Sequence, residues 1–433
     1  MSGTLENNQE SLVGQSVRQI LEQAAKTKVQ AVHFEPREKF VVVRFRVDNA
    51  MRLANKLPKH SYDDLARHLK SLSGLEAGRP QMPQDADFMM KIGPGNYNLR
   101  VSSMPVADGE KFIINITPQN NSESPSLEQL GLWGETLRSL DHALAAPHGL
   151  VLVASQQKSQ TDSTLMAMMN VFGPMASKVF FSEDEKVPLA DGVELVKLNR
   201  EFGLGLGHYL ELLGQKDFSV IAAEISDAAS ASAASKTAAK HDHLFLAGVP
   251  AHTSVGAFDF WRRALADHPK LITVRASLAQ EFVPALCPHC RQAYQPSAAE
   301  LDQLNIAFGI NSPATLKQIH NLEKSAAFNL NQNLNLSTSE TKIHNLWRSD
   351  VVGCEHCHHS GYLGSAGLFE VCNSSTRVQS LLAKKSTRRQ LQTAALKDGM
   401  LSLPVDALIK TLRGIIDTKT LLEICRRYDS DFR

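Results

Sequence analysis

The sequence predicts an α/β fold preceded by a small α+β domain, and three observations carry that prediction. From Leu127 onward, short apolar runs alternate with helical patterns, the order expected of a parallel sheet with helices on its faces. Ahead of it, within residues 1–117, helical and strand patterns make a smaller α+β domain. Between the two, TPQNNSESPS (117–126) is a polar, proline-containing connection.

Taken in order, residues 12–27 (LVGQSVRQILEQAAKT) read as a helix. VQAVHFEP (29–36) and KFVVVRFRVDN (39–49) read as strands, the second alternating apolar residues with Arg44, Arg46 and Asp48. A helix is expected at about 60–74, with further strands at 97–103 and 111–117. In the second part, buried strands are expected at 150–154, 178–182, 218–223 and 243–248. The Ala/Ser-rich stretch 228–240 (AASASAASKTAAK) reads as a small-residue helix packed close to the sheet. FNLNQNLNLSTSE (328–340) is Asn-rich and expected to be poorly structured. Four helices should close the chain, at about 374–384, 387–398, 404–413 and 418–427. No repeats are seen.

The chain has 433 residues, enough for two or three domains, with 43% hydrophobic and 21% charged residues, the balance of a soluble globular protein. A formal net charge of +1 gives no strong pull toward nucleic acid. The N-terminus, MSGTLENNQESLVGQ, lacks the apolar core of a signal peptide, and no run approaches the ~18–20 apolar residues that cross a bilayer. A cytoplasmic location is expected, with peripheral placement at the inner-membrane face left open.

Four of the six cysteines form two C-x2-C pairs, Cys287/Cys290 and Cys354/Cys357. Two such knuckles in a reducing compartment read as a four-cysteine zinc site, each placing two thiolates on one tetrahedral ion. The 63 residues between Cys290 and Cys354 exceed a compact zinc ribbon, so the site has to clasp a long excursion. A redox C-x2-C or plain reduced core cysteines are the alternatives. Cys372 and Cys425 lie in apolar surroundings and read as inert.

GLVLVASQQKSQTDSTL (149–165) runs from an apolar strand through a polar loop into a helix, with Leu165, Met168, Met169 and Phe172 at i, i+3, i+4, i+7. That is the layout of a phosphate-binding loop, yet no glycine lies between Leu150 and Phe172 and no G-K-[ST] ends it. Reading Lys158-Ser159 as a shifted Lys-Ser pair would start the loop inside the strand and still supply no glycine.

Together these residues resemble the secretion ATPase superfamily, specifically the type II secretion and type IV pilus assembly ATPases. The resemblance covers nearly the whole chain from about Leu12. AVHFEP (31–36) resembles the family's DIHFEP, VRFRVDN (43–49) its VRFRIDG, and MPQDAD (82–87) its LPQDGR. LRVSSMPVADGEKF (99–112) is similar to RVSTLPT…GEK, and GLVLVASQQKSQTDSTL lies on GLVLVTGPTGSGKTTTL. FFSEDEKVPLADGVELVKLN (180–199) lies on the acidic box, SVIAAEISD (219–227) on the Walker B region, and HLFLAGVPAHT (243–253) on the His box. The cysteine pairs and GYLGSAGLFE (361–370) lie on the family's zinc region and the GYKGRTGIYE after it.

The departures are as orderly. The loop's glycines fall on Ser155, Lys158 and Gln160, its lysine on Thr161 and its magnesium-binding hydroxyl on Asp162, with Ser159 in place between them. Glycines let successive N–H groups curl around phosphate, the lysine neutralises it, and Asp162 repels it. Glu211 and Gln215 stand where the family has two arginines, Ser226 replaces the arginine of Walker B, and Pro250 the histidine of the His box. Asp87 and Asn115 replace arginines of the N-terminal domain, and Val187 the second acidic-box glutamate. Glu183, Glu224, Asp227, His243, Arg44, Arg46 and Arg100 keep the family's residue type. Glu183 and Glu224 read as vestigial, Glu224 more simply as a strand-end carboxylate. The three arginines read as a solvated strand face and His243 as a strand-edge histidine.

The resemblance implies a PAS-like N-terminal α+β domain (1–117), a linker (118–127) and a RecA-like P-loop NTPase-type core (128–286). A zinc-binding region with the Asn-rich insertion (287–372) and a C-terminal helical region (373–433) follow. It implies a pseudo-ATPase: zinc expected, ATP and magnesium not, with a structural or regulatory role in a pilus or secretion machine. The implied partners are an active paralogous ATPase or the inner-membrane platform protein, in a homo- or hetero-hexamer. Fuller members carry a further N-terminal docking domain with no counterpart here, so docking by that route is not expected. Two alternatives stay open: an unorthodox motor using Glu183, Glu224 and Lys158, and a zinc-stabilised binding module outside secretion.

Overall fold

The computed structural model describes residues 12–430 apart from 28, 30, 48–49, 80, 119–123, 156–157, 174, 184–186, 188, 200–204, 214–217, 241–242, 266–273, 330–334 and 385. The chain divides into two units, Met1–Ser122 and Glu123–Arg433. In the first, strands β1 (Ala31–Pro36), β2 (Phe40–Val47), β3 (Ala50–Pro58), β4 (Gln84–Ile92), β5 (Gly95–Val106) and β6 (Gly109–Pro118) form one antiparallel sheet in the order β3-β2-β1-β6-β5-β4. Strand side chains alternate between faces, so one face carries Phe34, Val43, Leu99 and Phe112. Helices α1 (Leu12–Lys26) and α2 (Tyr62–Ser73) bury Val17, Leu21, Leu65 and Leu69 in the same core.

The second unit begins with α3 (Leu127–Leu130) and α4 (Gly134–Leu144), then alternates strand and helix. In order come β7 (Gly149–Ala154), α5 (Lys158–Val171), β8 (Lys178–Ser182), β9 (Val193–Lys197), α6 (Leu206–Leu213), β10 (Val220–Glu224), α7 (Ala228–Lys240), β11 (Leu244–Val249), α8 (Ser254–Ala264) and β12 (Val274–Leu286). A small hairpin of β13 (Gln292–Tyr294) with β14 (Leu346–Arg348) brackets α9 (Ala298–Phe308) and α10 (Pro313–Asn329). The chain ends with β15 (Tyr362–Asn373), α11 (Thr376–Ala383), α12 (Arg388–Lys397), α13 (Leu403–Leu412) and α14 (Thr418–Ser430). Seven strands form one sheet in the order β15-β12-β7-β11-β10-β8-β9. Six of them are parallel, and β15 runs antiparallel along β12. Such a sheet is buried on both faces, which is why β7, β10 and β11 are almost uniformly apolar. On one face the Ala/Ser-rich α7 seats Ala231, Ala234 and Ala238 with Ile221 and Phe245; on the other, α5 packs Leu165, Met168 and Met169 against Val151 and Leu246.

One expectation is corrected. Part of the Asn-rich stretch is built into the fold: α10 runs into it to Asn329, and beyond the undescribed 330–334 Ser337 and Thr338 are buried. Their N–H groups donate to the fully buried Glu323 carboxylate at 2.6 and 3.0 Å, with Arg413 3.6 Å from it. A buried carboxylate requires such donors, and composition alone does not register that requirement.

Asp259 of α8 ties that helix to α12. It is 2% exposed and faces Arg262 at i+3, Arg263 at i+4 and, 2.8 Å away, Arg388. Burial pushes the carboxyl pKa up, and hydrogen bonds from Arg263, Arg262 and Arg388 outweigh it, holding it far below the ordinary carboxylate range. A depressed folded-state pKa stabilises the fold above the unfolded value of about 3.9 and loses that contribution as pH falls below it. Asp259→Asn is therefore expected to lower the urea midpoint at neutral pH, and the gap to wild type should begin closing below about pH 4. Denaturation curves at graded pH check this; a gap that widens in acid would refute the assignment.

Candidate phosphate-loop site and metal centre

The phosphate-loop residues gather at the C-terminal edge of the parallel strands, where α/β sheets place ligands. Strand β7 lies between β11 and β12, with Ala154 in register with Val249 and Ala279. The buried Ser155 follows, its N–H donating to Val249 O at 3.2 Å. Gln156 and Gln157 lie outside the described residues, as do the side chains of Lys158 and Ser159. Gln160 is half-buried, while Thr161 and Asp162 are buried at 3% and 8% exposure in the first half of α5. Thr161 turns its methyl toward Gly248: a Cβ there would lie 2.5 Å from Thr161 Cγ2 and 3.4 Å from Glu224 Cγ. Glu224 ends β10 in register with Gly248, and Glu183, exposed, follows the end of neighbouring β8. Deeper, Thr164 Oγ1 donates to Gln280 Oε1 at 2.5 Å, joining α5 to β12.

Other sequence-selected residues lie elsewhere. Gly149 N–H donates to His243 O at 3.1 Å, which puts His243 at the start of β11, the opposite end of the sheet from the loop. Asp227 caps α7, accepting from Ser230 N and Oγ at 2.8 Å each. Ser226 and Pro250 line a cavity of about 400 Å³ together with Asp227, His252, Arg263 and Arg388. Gln215 and the side chain of Glu211 are outside the described residues. In the first unit Arg46 donates to Asn115 at 3.4 Å, Arg44 lies 3.6 Å from Glu35, and Arg100 stands across from Asp87.

The four paired cysteines meet in space. Sγ–Sγ distances are 3.8 Å for Cys287–Cys354, 3.7 Å for Cys290–Cys357 and 3.7 Å for Cys354–Cys357, and all four sulfurs lie within 4.8 Å of one another. A tetrahedral ion with metal–sulfur bonds of ~2.3 Å has sulfur–sulfur edges of about 3.8 Å, so the cluster fits such an ion. Burial pushes the Cys357 thiol up, but N–H groups of Cys354 and Gly361, each 3.2 Å from its sulfur, prevail and hold it at about 6. Burial raises Cys290 and Cys287, the former helped by Cys357. The knuckles are also seated: Cys287 N–H donates to Gly361 O, Leu286 N–H to Ile415 O, and His289 stacks on His356 with ring centres 4.0 Å apart. Cys372 is buried with its thiol pushed up, and burial raises Cys425 to about 11, so neither is a ready thiolate.

Sequence reasoning missed Gly248, Gln280 and Asp259. Asp259 alone had a local signal, the i+3 and i+4 arginines. Gln280 meets a partner 116 residues away, which no spacing rule reaches.

The mixed α/β chain carries a strand–loop–helix turn at its sheet edge and four clustered cysteines. The family described as Type II/IV secretion system protein matches residues 6–423, and this chain belongs to it. Type II secretion system protein E of Pseudomonas aeruginosa is 24% identical over 428 residues, 98% of this chain and 77% of that protein. Type IV pilus assembly ATPase PilB of Thermus thermophilus is 24% identical over 417 residues, 95% of this chain and 43% of that protein. In fold, the chain resembles the ATPase DotB of Legionella pneumophila with a TM-score of 0.61 at 13% identity, over 97% of each chain. Among the described residues, no helix is long and apolar enough to cross a membrane.

Proposed function

We propose that this family member is a pseudo-ATPase, serving a pilus or type II secretion machine as a structural or regulatory component. One observation carries the reading: the loop residues standing where the family has glycines, lysine and hydroxyl are Ser155, Lys158, Gln160, Thr161 and Asp162, with Thr161 packed on Gly248 and Asp162 buried. These residues do not fit a bound polyphosphate. Two like charges ~4 Å apart cost about 4 kcal/mol at an effective dielectric near 20, so Asp162 disfavours phosphate where a hydroxyl would assist it. In this reading residues 128–286 are a RecA-like core that keeps its packing, 287–372 form a zinc region and 373–433 a helical end, behind a PAS-like domain over 1–117. Cys287, Cys290, Cys354 and Cys357 would hold the zinc, which supplies a structural cross-link between two distant stretches of chain. Its partners would be an active paralogous ATPase or the membrane platform protein, at the cytoplasmic face.

Calorimetric titration with Mg-ATP, and phosphate release from wild type, Thr161→Lys and Glu224→Gln, test the reading. The expected result is neither saturable binding nor turnover. Thr161→Lys alone should not rescue activity, because Gln160, Asp162 and Pro250 remain. Magnesium-dependent turnover in the wild type that Glu224→Gln abolishes would sink the proposal and establish an unorthodox motor instead.

A further inference from the structure

Helices α11 and α12 form an antiparallel hairpin. Arg377, at the start of one, pairs at 2.5 Å with Asp398 just past the end of the other, and Ser375 Oγ donates to the same carboxylate at 2.6 Å. Residues 376–397 contain Arg377, Lys384, Lys385, Arg388, Arg389 and Lys397 and no acidic residue, in a chain whose net charge is only +1. Arg388 is held by Asp259 and Arg377 by Asp398. Among the described residues, Lys384, Arg389 and Lys397, all exposed, have no carboxylate within ion-pair distance. The outer side of the hairpin is concave, a groove of about 760 Å³. Lys384 and Arg389 stand at its turn end and Arg377 and Lys397 at its open end, with uncharged Ser380 and Thr393 between them.

We propose that this groove docks an acidic segment of a partner polypeptide, independently of the nucleotide-type site. An eight-residue helix such as α11 is about 12 Å long, which an extended segment of about four residues spans. The fitting ligand therefore has carboxylates at two points about 12 Å apart and small polar residues between them. Arginine and lysine clusters recognise acidic motifs in this way, by charge-assisted hydrogen bonds in a preformed concavity. A lipid surface fits less well. Helices that lie on membranes present a broad apolar face, and of the large apolar side chains in this hairpin Leu396 alone is strongly exposed, at 47%.

Fluorescence polarisation of the labelled peptide Asp-Asp-Ser-Gly-Ser-Asp-Asp against the full chain tests the proposal. Binding should be saturable at low ionic strength, weaken as salt is added, and disappear when the aspartates are replaced by asparagine. K384E/R389E should weaken it at least about tenfold, and K397Q by a smaller factor, while K342E/K419E, an equal charge change on exposed lysines elsewhere, should leave it within about twofold. All three variants alter exposed side chains, and unchanged melting curves verify their folding. Equal losses in both double variants would overturn the proposal, as would absence of peptide binding at low salt. So would binding to phosphatidylglycerol vesicles, sensitive to K384E/R389E, without peptide binding.

Discussion

Wild-type protein is expected to purify with roughly one zinc per chain, and protein carrying Cys354→Ser with less than a tenth of that and with the order of its C-terminal third lost. Cys354 Sγ sits 3.8 Å from Cys287 and 3.7 Å from Cys357, so a hydroxyl in its place removes one vertex of the tetrahedron. Structural zinc in small domains is worth about 10–16 kcal/mol of folding free energy. Here the knuckles also rest on a packed frame, so several kcal/mol is the expected loss, on the order of a large core truncation. The damage should travel. Leu286 N–H donates to Ile415 O, Arg291 reaches Arg413 O at 3.2 Å and lies over the Trp347 ring at 4.8 Å, and Trp347 in turn donates to Leu412 O at 3.1 Å. Elemental analysis gives the metal content. Hydrogen exchange should show faster opening of 286–291, 346–362 and the end of α13, with β10 and β11 unchanged. Full zinc content in the variant would refute the assignment of Cys354 as a ligand.

Asp406→Ala should cost about 3–5 kcal/mol, because it strands a buried charge. The Asp406 carboxylate accepts from Trp133 Nε1 at 2.6 Å, Phe369 N at 2.9 Å and Lys410 Nζ at 2.7 Å. Lys410 is 2% exposed and also donates to Gly131 O and Gly367 O. Burial pushes its pKa down and Asp406 pulls it back up, so without the carboxylate the ammonium loses the interaction that keeps it charged. The double replacement Asp406→Leu with Lys410→Met removes both charges and should recover much of the loss. Urea denaturation of the single and double variants measures the difference; a double variant as unstable as the single one would show that packing, not charge, sets the cost.

The strands legible in the sequence are those whose surroundings are uniform. β7, β8, β10 and β11 are buried on both faces and read as mainly apolar runs, with polar residues only at the ends of β8 and β10. The edge strands β3 and β4, AMRLANKLP and QDADFMMKI, went unread because an edge mixes charges with apolar residues to resist pairing with other chains. β15 was seen only as a motif beside the cysteines, since nothing local reveals that it pairs along β12. At the sites, the cysteine cluster was legible because ligand spacing is itself the chemistry. The strand–loop–helix order at 149–165 was legible, but not the packing of Thr161 on Gly248, which depends on two strands lying side by side.

The place of β15 at the rim of the sheet also has a consequence for synthesis. Strand β12 lies against β7 on one side and leaves its other backbone edge for β15, whose first residue, Tyr362, comes 76 residues after Leu286. At about 5–20 residues per second, a ribosome takes roughly 4–15 s to make that interval. Throughout it the nascent chain can hold a nearly complete sheet with one long edge unsatisfied, the state most prone to pairing with a neighbour on the same polysome.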